Sequence, residues 1–341
     1  EAGWLLVQEL NERRLSVFDV SGFLGATDAT GWEVAAIPTV EAEPLPDDVW
    51  LGKVLFMNAN SSAMSQDGYL ACSTCHPDGG HDGRTWDFTQ YGEGLRNTID
   101  LRGRAGTAHG PVHWSANFDE IHDFEGDIRL HQGGSGFLDD EDWEQTADPL
   151  GETKAGRSER LDALAAYVAT FTDYPRSPWR NDDGTLTEAA ERGRRVLAGL
   201  DCLDCHDGEH LTDSAEGERH DVGTLTSASG GRLGGALDGI DTPTLYGLHA
   251  GAPYLHDGSA ATIADTLRID GHGDAQGLSE ADMADLEAFL LQLGPDVSLD
   301  APPIDDAVAT TPEQGGCGCV SGAPLGSWPL ALLIGLALRR R

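Results

Sequence analysis

Basic residues are scarce in this sequence. Lys and Arg together number 22 against 58 Asp and Glu, a formal charge of −36. Such a surface repels nucleic acid and anionic lipid, which excludes both as partners; it favours a basic protein partner, bound cations or solubility in salty surroundings. Hydrophobic residues make up a rather low 39%, while 44 Gly and 16 Pro imply long ordered loops. An initial Met and a charged-then-apolar signal segment are both missing, so the chain reads as a fragment of a longer protein. The C-terminal apolar run, Trp328 to Leu338, falls well short of the ~20 residues of a membrane-spanning helix. Cysteine is scarce as well, at six residues.

What is present divides the chain. A length of 341 residues suggests two or three domains. "RRLSVFDVSG" and "WEVAAIPTV" read as short strands, and two strands cannot bury a core alone. Residues 1–45 are therefore expected to be the end of a truncated β-domain, with a propeller blade as one candidate. From "LPDDVWLGKVLF" the pattern becomes helical. Pro46 suits a first helical position, Asp47 and Asp48 complement the dipole, and Val49, Lys53 and Phe56 keep helical spacing. "SERLDALAAYVATF" predicts a helix capped by Ser158, with Leu161, Leu164, Val168 and Phe171 on one face. "LTEAAERGRRVLAGLDC" predicts another, and "SEADMADLEAFLLQLG" a fourth, capped by Ser279, stopped at Gly294 and burying Met283, Leu286, Phe289, Leu290 and Leu293. The expected division is 1–45, 46–178, 179–296, a linker at 297–316 and a tail at 317–341.

Four of the six cysteines fall in two copies of one pattern, "ACSTCH" and "DCLDCH". Cys-x-x-Cys-His is the attachment signature of c-type haem: two thiols add to porphyrin vinyl groups and the His supplies the proximal iron ligand. This assigns Cys72, Cys75 and His76 to one haem, and Cys202, Cys205 and His206 to a second. A zinc ribbon would pair its two units within ~15–20 residues, whereas these lie far apart. A redox dithiol calls for a βαβ setting, which is not evident. With four cysteines in thioethers and Cys317 and Cys319 near the end, none remains for disulfides. Haem attachment places the chain outside the cytoplasm, in the periplasm or at the cell surface.

The stretch "GGCGCVSGAPLGSWPLALLIGLALRRR" resembles a MYXO-CTERM sorting tail, in which a Cys after Gly precedes an apolar helix and an Arg cluster. Cys317 or Cys319 would be the processed residue, and membrane association would come only through this tail. From about Gly52 to Gly294 the chain resembles the bacterial di-haem cytochrome c peroxidase and MauG family. The resemblance rests on "LGKVLFMNANSSAMSQDGYLACSTCHPD", on "LRNTIDLRG" with Ile99 in place of a Pro, and on "DTPTLYGLHAGAPYLHDGSAATIADTLR". It implies a mainly α fold of two cytochrome c-like domains, haems near their interface, and calcium between them. Carried over, Asn97 would offer a side-chain oxygen to calcium, and Gly251 and Pro253 backbone carbonyls; these are the hard donors calcium takes. Trp114 would lie between the haems and help electrons pass.

Two departures matter. Where the family places a Met or Tyr ligand for the second iron stands Asp270, a poor one, and His272 two residues on is the expected replacement. His220 and His249 are the next candidates. Where the family places its peroxidatic Glu stands Gly134. Glu125, His131 and Gln132 are nearby candidates for the acid–base role that peroxide cleavage needs; equally, His113, His122 or His131 would close the first iron by ligating it. His81, five residues beyond His76, is too near on the proximal side for that role. The expected function is a peroxidase-type oxidoreductase taking hydrogen peroxide or another small oxidant and a basic redox protein donor. The alternatives are a non-catalytic electron carrier and a surface binding protein with accessory haem modules.

Overall fold

The computed structural model describes residues 3–24, 32–273 and 275–300. The expected tail, with Cys317 and Cys319, and the linker from residue 301 onward lie outside these. Among the described residues no helix is long and apolar enough to cross a membrane.

The N-terminal part is a three-stranded antiparallel sheet of β1 (Trp4–Glu9), β2 (Arg14–Asp19) and β3 (Trp32–Pro38), in that order, with a short α1 (Ser21–Leu24) after β2. β2 and β3 are the expected strands. β1 escapes the alternation test because Trp4, Leu5, Leu6 and Val7 are apolar in succession. The sheet leaves large side chains in the open: Trp4, Leu6 and Trp32 are 57%, 61% and 68% exposed. Arg13, in the β1–β2 turn, ties the sheet to the helical part of the chain. Its guanidinium lies 4.7 Å over the Trp50 ring and 2.8 Å from Glu43.

Next come α2 (Asp47–Met57), α3 (Cys72–Cys75), β4 (Thr85–Asp87) paired with β5 (Leu95–Asn97), α4 (Phe124–Leu130), α5 (Asp140–Thr146) and α6 (Glu159–Val168). Ser158 caps α6 as expected, its Oγ accepting from the Leu161 N–H at 3.4 Å. α2 and α6 cross at Gly52, where a Cβ would stand 1.9 Å from the Ala163 carbonyl oxygen. Only glycine lets the backbones come that close. Leu55, Phe56, Leu164, Tyr167 and Val168 are buried around the crossing, with Phe56 edge-on to Tyr167 and Phe171.

The remainder holds α7 (Glu188–Leu197), the β6 (Gly231–Arg232) and β7 (Gly235–Ala236) hairpin, α8 (Ile263–Leu267) and α9 (Glu280–Leu290). α7 and α9 cross at Gly193, where a Cβ would lie 1.9 Å from the Asp285 carbonyl oxygen. All five residues expected on the inner side of α9 are buried there. The helix ends earlier than its Gly294 stop signal. The Gln292 and Leu293 N–H groups bond back only three residues, to Phe289 and Leu290, so the last turn tightens before the glycine.

Candidate functional site

Both Cys-x-x-Cys-His stretches are single tight turns. In the first, α3 is closed by the His76 N–H on the Cys72 carbonyl at 2.9 Å, and Thr74 Oγ1 accepts from the Ala71 N–H at 3.1 Å. In the second, α7 runs into a 3-10 turn over Asp201–Asp204, closed by His206 N–H on the Cys202 carbonyl at 3.0 Å. None of the four cysteines is in a disulfide. Burial pushes the Cys72 thiol up to about 12 and Cys75 up to about 11. These are protonated thiols, unlike the lowered thiolates of redox motifs.

Around the second turn lies a cavity of about 440 Å³ lined by Cys202, Cys205, His206 and His272, a volume in the range of small-molecule sites. The His206 and His272 rings are neighbours, with centroids 6.4 Å apart and planes tilted by 50°. Two nitrogen–metal bonds of about 2 Å, with each nitrogen about 1 Å from its ring centre, span about 6 Å. The spacing of the pair therefore matches that of two imidazoles sharing one metal atom. His272 Nδ1 lies 3.3 Å from the Thr266 carbonyl, which fixes the proton on Nδ1 and leaves Nε2 for a ligand bond. Burial, and then the neighbouring His272, push His206 down to about 4, keeping its imidazole in the neutral, ligating form. Gly271 and Gly273, at φ +95° and +63°, turn the His272 loop inward in backbone regions other residues avoid. Asp270 is exposed. His220 is occupied elsewhere, its Nε2 2.6 Å from Asp213. Asp213, His220 and the Cys205 sulfur offer atoms within 4.8 Å of one another, a cluster that the sequence did not reveal.

At the first turn, His76 Nδ1 lies 3.1 Å from the Gly80 carbonyl, again leaving Nε2 available. Burial lowers its pKa, and His113 is near enough to lower it further. His113 packs against Phe118 and Phe124, which also touch each other, and is held in a left-handed conformation, φ +68°. Its Nδ1 is 2.8 Å from Asn117 Oδ1, and its Nε2 is 3.7 Å from Asp127. Asp127 also lies 3.0 Å from His131 Nδ1, and the His131 ring rests 4.3 Å from Tyr91. Asn117 in turn donates to Glu93 at 3.2 Å. The result is a polar chain, Glu93–Asn117–His113–Asp127–His131. Its Asp and Asn members carry no signal in so acidic a sequence.

Of the other expected residues, Glu125 is fully buried; it accepts from Arg129 Nε at 2.7 Å, from the Phe137 N–H at 2.9 Å and from the Leu138 N–H at 3.1 Å. It therefore does not meet His113 or His131. His122 bonds Asp162 at 3.0 Å, on α6. Gln132 Oε1 is buried without a partner among the described residues. At Gly134 a Cβ would lie 2.4 Å from the Ala63 carbonyl, so no carboxylate side chain fits. His81 reaches the Ala250 carbonyl. Trp114 lies against both parts: its indole N–H donates to the Asn97 carbonyl at 2.7 Å, and its own carbonyl accepts from Asp241. Asn97, Gly251 and Pro253 line the same cavity as Trp114. Asn97 Nδ2 donates to the Pro253 carbonyl, while its buried Oδ1 has no partner among the described residues, an orphaned hard oxygen of the kind a calcium site uses.

No family model matches the chain. It is 29% identical to hydrazine synthase subunit gamma of Kuenenia stuttgartiensis, over 69% of this chain and 75% of that protein. It is 23% identical to cytochrome c peroxidase Ccp of Escherichia coli K12, over 74% of this chain and 59% of that longer protein. Among solved structures, a MauG-like protein associated with microbial copper homeostasis matches over 74% of this chain and 90% of that one. Its TM-score is 0.51 at 21% identity, a likeness of fold. The relatives of this chain thus include cytochrome c peroxidase and MauG-like proteins.

Proposed function

We propose that the chain is an extracytoplasmic di-haem c-type oxidoreductase, with peroxide chemistry at the first Cys-x-x-Cys-His turn and electron relay at the second. The observation that carries this reading is the neighbouring pair His206 and His272, in a cavity that Cys202 and Cys205 also line. Cys72, Cys75, Cys202 and Cys205 would attach the haems, and His76 and His206 would ligate them through Nε2. When bound, each haem supplies a one-electron iron couple.

The chain's own groups divide the remaining work. Closing one iron with two imidazoles leaves it to electron transfer. At the other turn, cleavage of a peroxide O–O bond needs a proton moved between its oxygens. Asp127, between His131 and His113, is placed to hold and move it. Trp114 offers an aromatic bridge between the two parts, and a calcium ion held at Asn97, Gly251 and Pro253 would brace the same joint. The oxidant would be hydrogen peroxide or a similar small molecule. With a net charge of −36, the redox protein that donates electrons would carry a basic docking face. The 317–341 tail would set surface placement.

EPR and visible spectra of the haem-loaded protein test the reading. The expected result is one low-spin bis-imidazole haem, and one haem that is high-spin or becomes so on half-reduction. His272→Ala should make the second haem high-spin while its thioethers persist, and His272→Met should restore low spin at a higher potential, because imidazole favours ferric iron more than thioether does. Two haems that stay low-spin in every redox state would leave an electron carrier, with His113 then the ligand nearest His76.

A further inference from the structure

Arg104 is a buried cation without a counter-charge in contact. It is 6% exposed, its side chain makes no hydrogen bond or ion pair among the described residues, and it lines the cavity of Cys202, Cys205 and His206. Asp241, Tyr174 and Asp100 act on it only at longer range, and burial is the largest influence on its charge. A desolvated guanidinium without a partner is destabilising, yet the backbone is built to hold it there. Gly103, at φ +80°, packs so closely under Tyr174 that a Cβ would come within 2.4 Å of the ring. On either side, the Leu101 N–H bonds the Gly79 carbonyl at 3.0 Å and the Ala105 N–H bonds the Phe171 carbonyl at 3.1 Å. The turn is pinned from both ends and directs Arg104 into the cavity.

We propose that Arg104 pairs with a propionate carboxylate of the haem attached at Cys202 and Cys205. The assignment rests on the di-haem reading above. A carboxylate is the partner a planar guanidinium takes in two parallel hydrogen bonds, and this anion would arrive with the cofactor whose attachment residues line the same space. The consequence crosses the molecule: a residue of the first part sets the potential of the haem carried by the second. A positive charge beside the porphyrin favours the reduced iron and raises the potential.

The test uses the haem-loaded full chain with Arg104→Gln and Arg104→Lys. Haem is counted by mass, the two couples are resolved by spectroelectrochemical titration, and the propionate bending band is followed by resonance Raman. Arg104→Gln should retain both haems, displace the propionate band and lower the reduction equilibrium of the second haem about tenfold, about 59 mV for one electron. The first couple should stay in place, and Arg104→Lys should recover most of the potential. Should Arg104→Gln lose its haem, Arg104→Lys decides: a displaced propionate band supports the pair, and one identical to wild type overturns it. Two haems with an unmoved second couple and band in Arg104→Gln overturn the assignment alone. So does a wild-type couple that shifts with added chloride or nitrate, since the guanidinium would then be taking free anions. A wild-type chain lacking covalent haem overturns the di-haem reading and this assignment together.

Discussion

The two helix crossings are built alike, and the two histidine turns beside them are not. α2 meets α6 at Gly52, under Ala163 and Tyr167; α7 meets α9 at Gly193, under Asp285 and Phe289. In each, the aromatic stands four residues after the carbonyl that the glycine touches, one helical turn along the same face. Around that shared packing the surroundings diverge. His206 has a second imidazole beside it, and both line one cavity. His76 sits near a run of polar side chains, in which Asn117, His113, Asp127 and His131 follow one another at 2.8, 3.7 and 3.0 Å. A common scaffold thus carries two neighbouring imidazoles in one half and a run of polar side chains in the other, an asymmetry that the proposed division of labour between two haems would use.

The most drastic way to break the comparison is to remove one attachment pair at a time. Cys202→Ala with Cys205→Ala should leave a chain with one haem, retained at Cys72 and Cys75, and the reverse pair should leave the other. Mass spectrometry of the exported protein reads the loss directly. Loss of both haems from either double variant would mean that the two turns are not independent sites.

Next in size is the acid–base role. Asp127→Asn should lower peroxide turnover by about a hundredfold or more while haem content and thermal midpoint hold, the scale of a lost proton-transfer group. Glu125→Gln should do the opposite. It weakens a buried carboxylate that accepts from Arg129 and two backbone N–H groups, and should cost about 1–3 kcal/mol of stability. Should Glu125→Gln abolish turnover in a fully stable protein, the roles are reversed.

These two residues also show where sequence reading stops. The helices were legible because their caps and apolar faces are local: Ser158, Ser279 and the α9 inner face behave as their spacing requires. The two Cys-x-x-Cys-His turns were legible because the whole pattern fits in five residues. Glu125 stood out for its place near the position of the family's Glu, yet distance along the chain does not say where a carboxylate points. Asp127, two residues on, is one acid among 58 Asp and Glu, and only the fold brings it between His113 and His131. Arg104 was equally silent, since burial without a partner has no sequence signature. Gly134 shows the converse. The Glu missing from that position is explained by the Ala63 carbonyl, which leaves no room for a side chain.

A subtler comparison concerns the crossings themselves. Gly52→Val and Gly193→Val each force a side chain against a carbonyl, and each should lower stability by at least the ~1–3 kcal/mol of an overpacked core. Thermal unfolding of the two variants should show similar losses. A large loss in one and none in the other would mean that the crossings are not equivalent.

The last comparison concerns the contact between the halves and reads a pH slope rather than a single loss. His109, from the first, stacks on His210, from the second, at 4.3 Å, and its Nε2 lies 3.2 Å from the Gly103 carbonyl and 3.0 Å from the Tyr174 hydroxyl. Burial, then Arg104 and His210, push its pKa down to about 3. The unfolded chain takes up this proton near pH 6.5, whereas the folded chain resists it until about pH 3. Stability from this group is therefore whole above pH 6.5 and declines as pH falls towards 3, by at most about 1.4 kcal/mol per unit. Asp241 works against it: burial raises its carboxyl to about 7, so the folded chain binds that proton first and gains stability over part of the same window. The wild-type slope alone is consequently shallow. The informative quantity is the difference from His109→Gln, which keeps a hydrogen-bonding side chain but cannot take up the proton. Urea midpoints measured from pH 7 to pH 4 should fall more steeply in wild type than in this variant, and parallel curves would show that His109 is not the acid-sensitive contact between the halves.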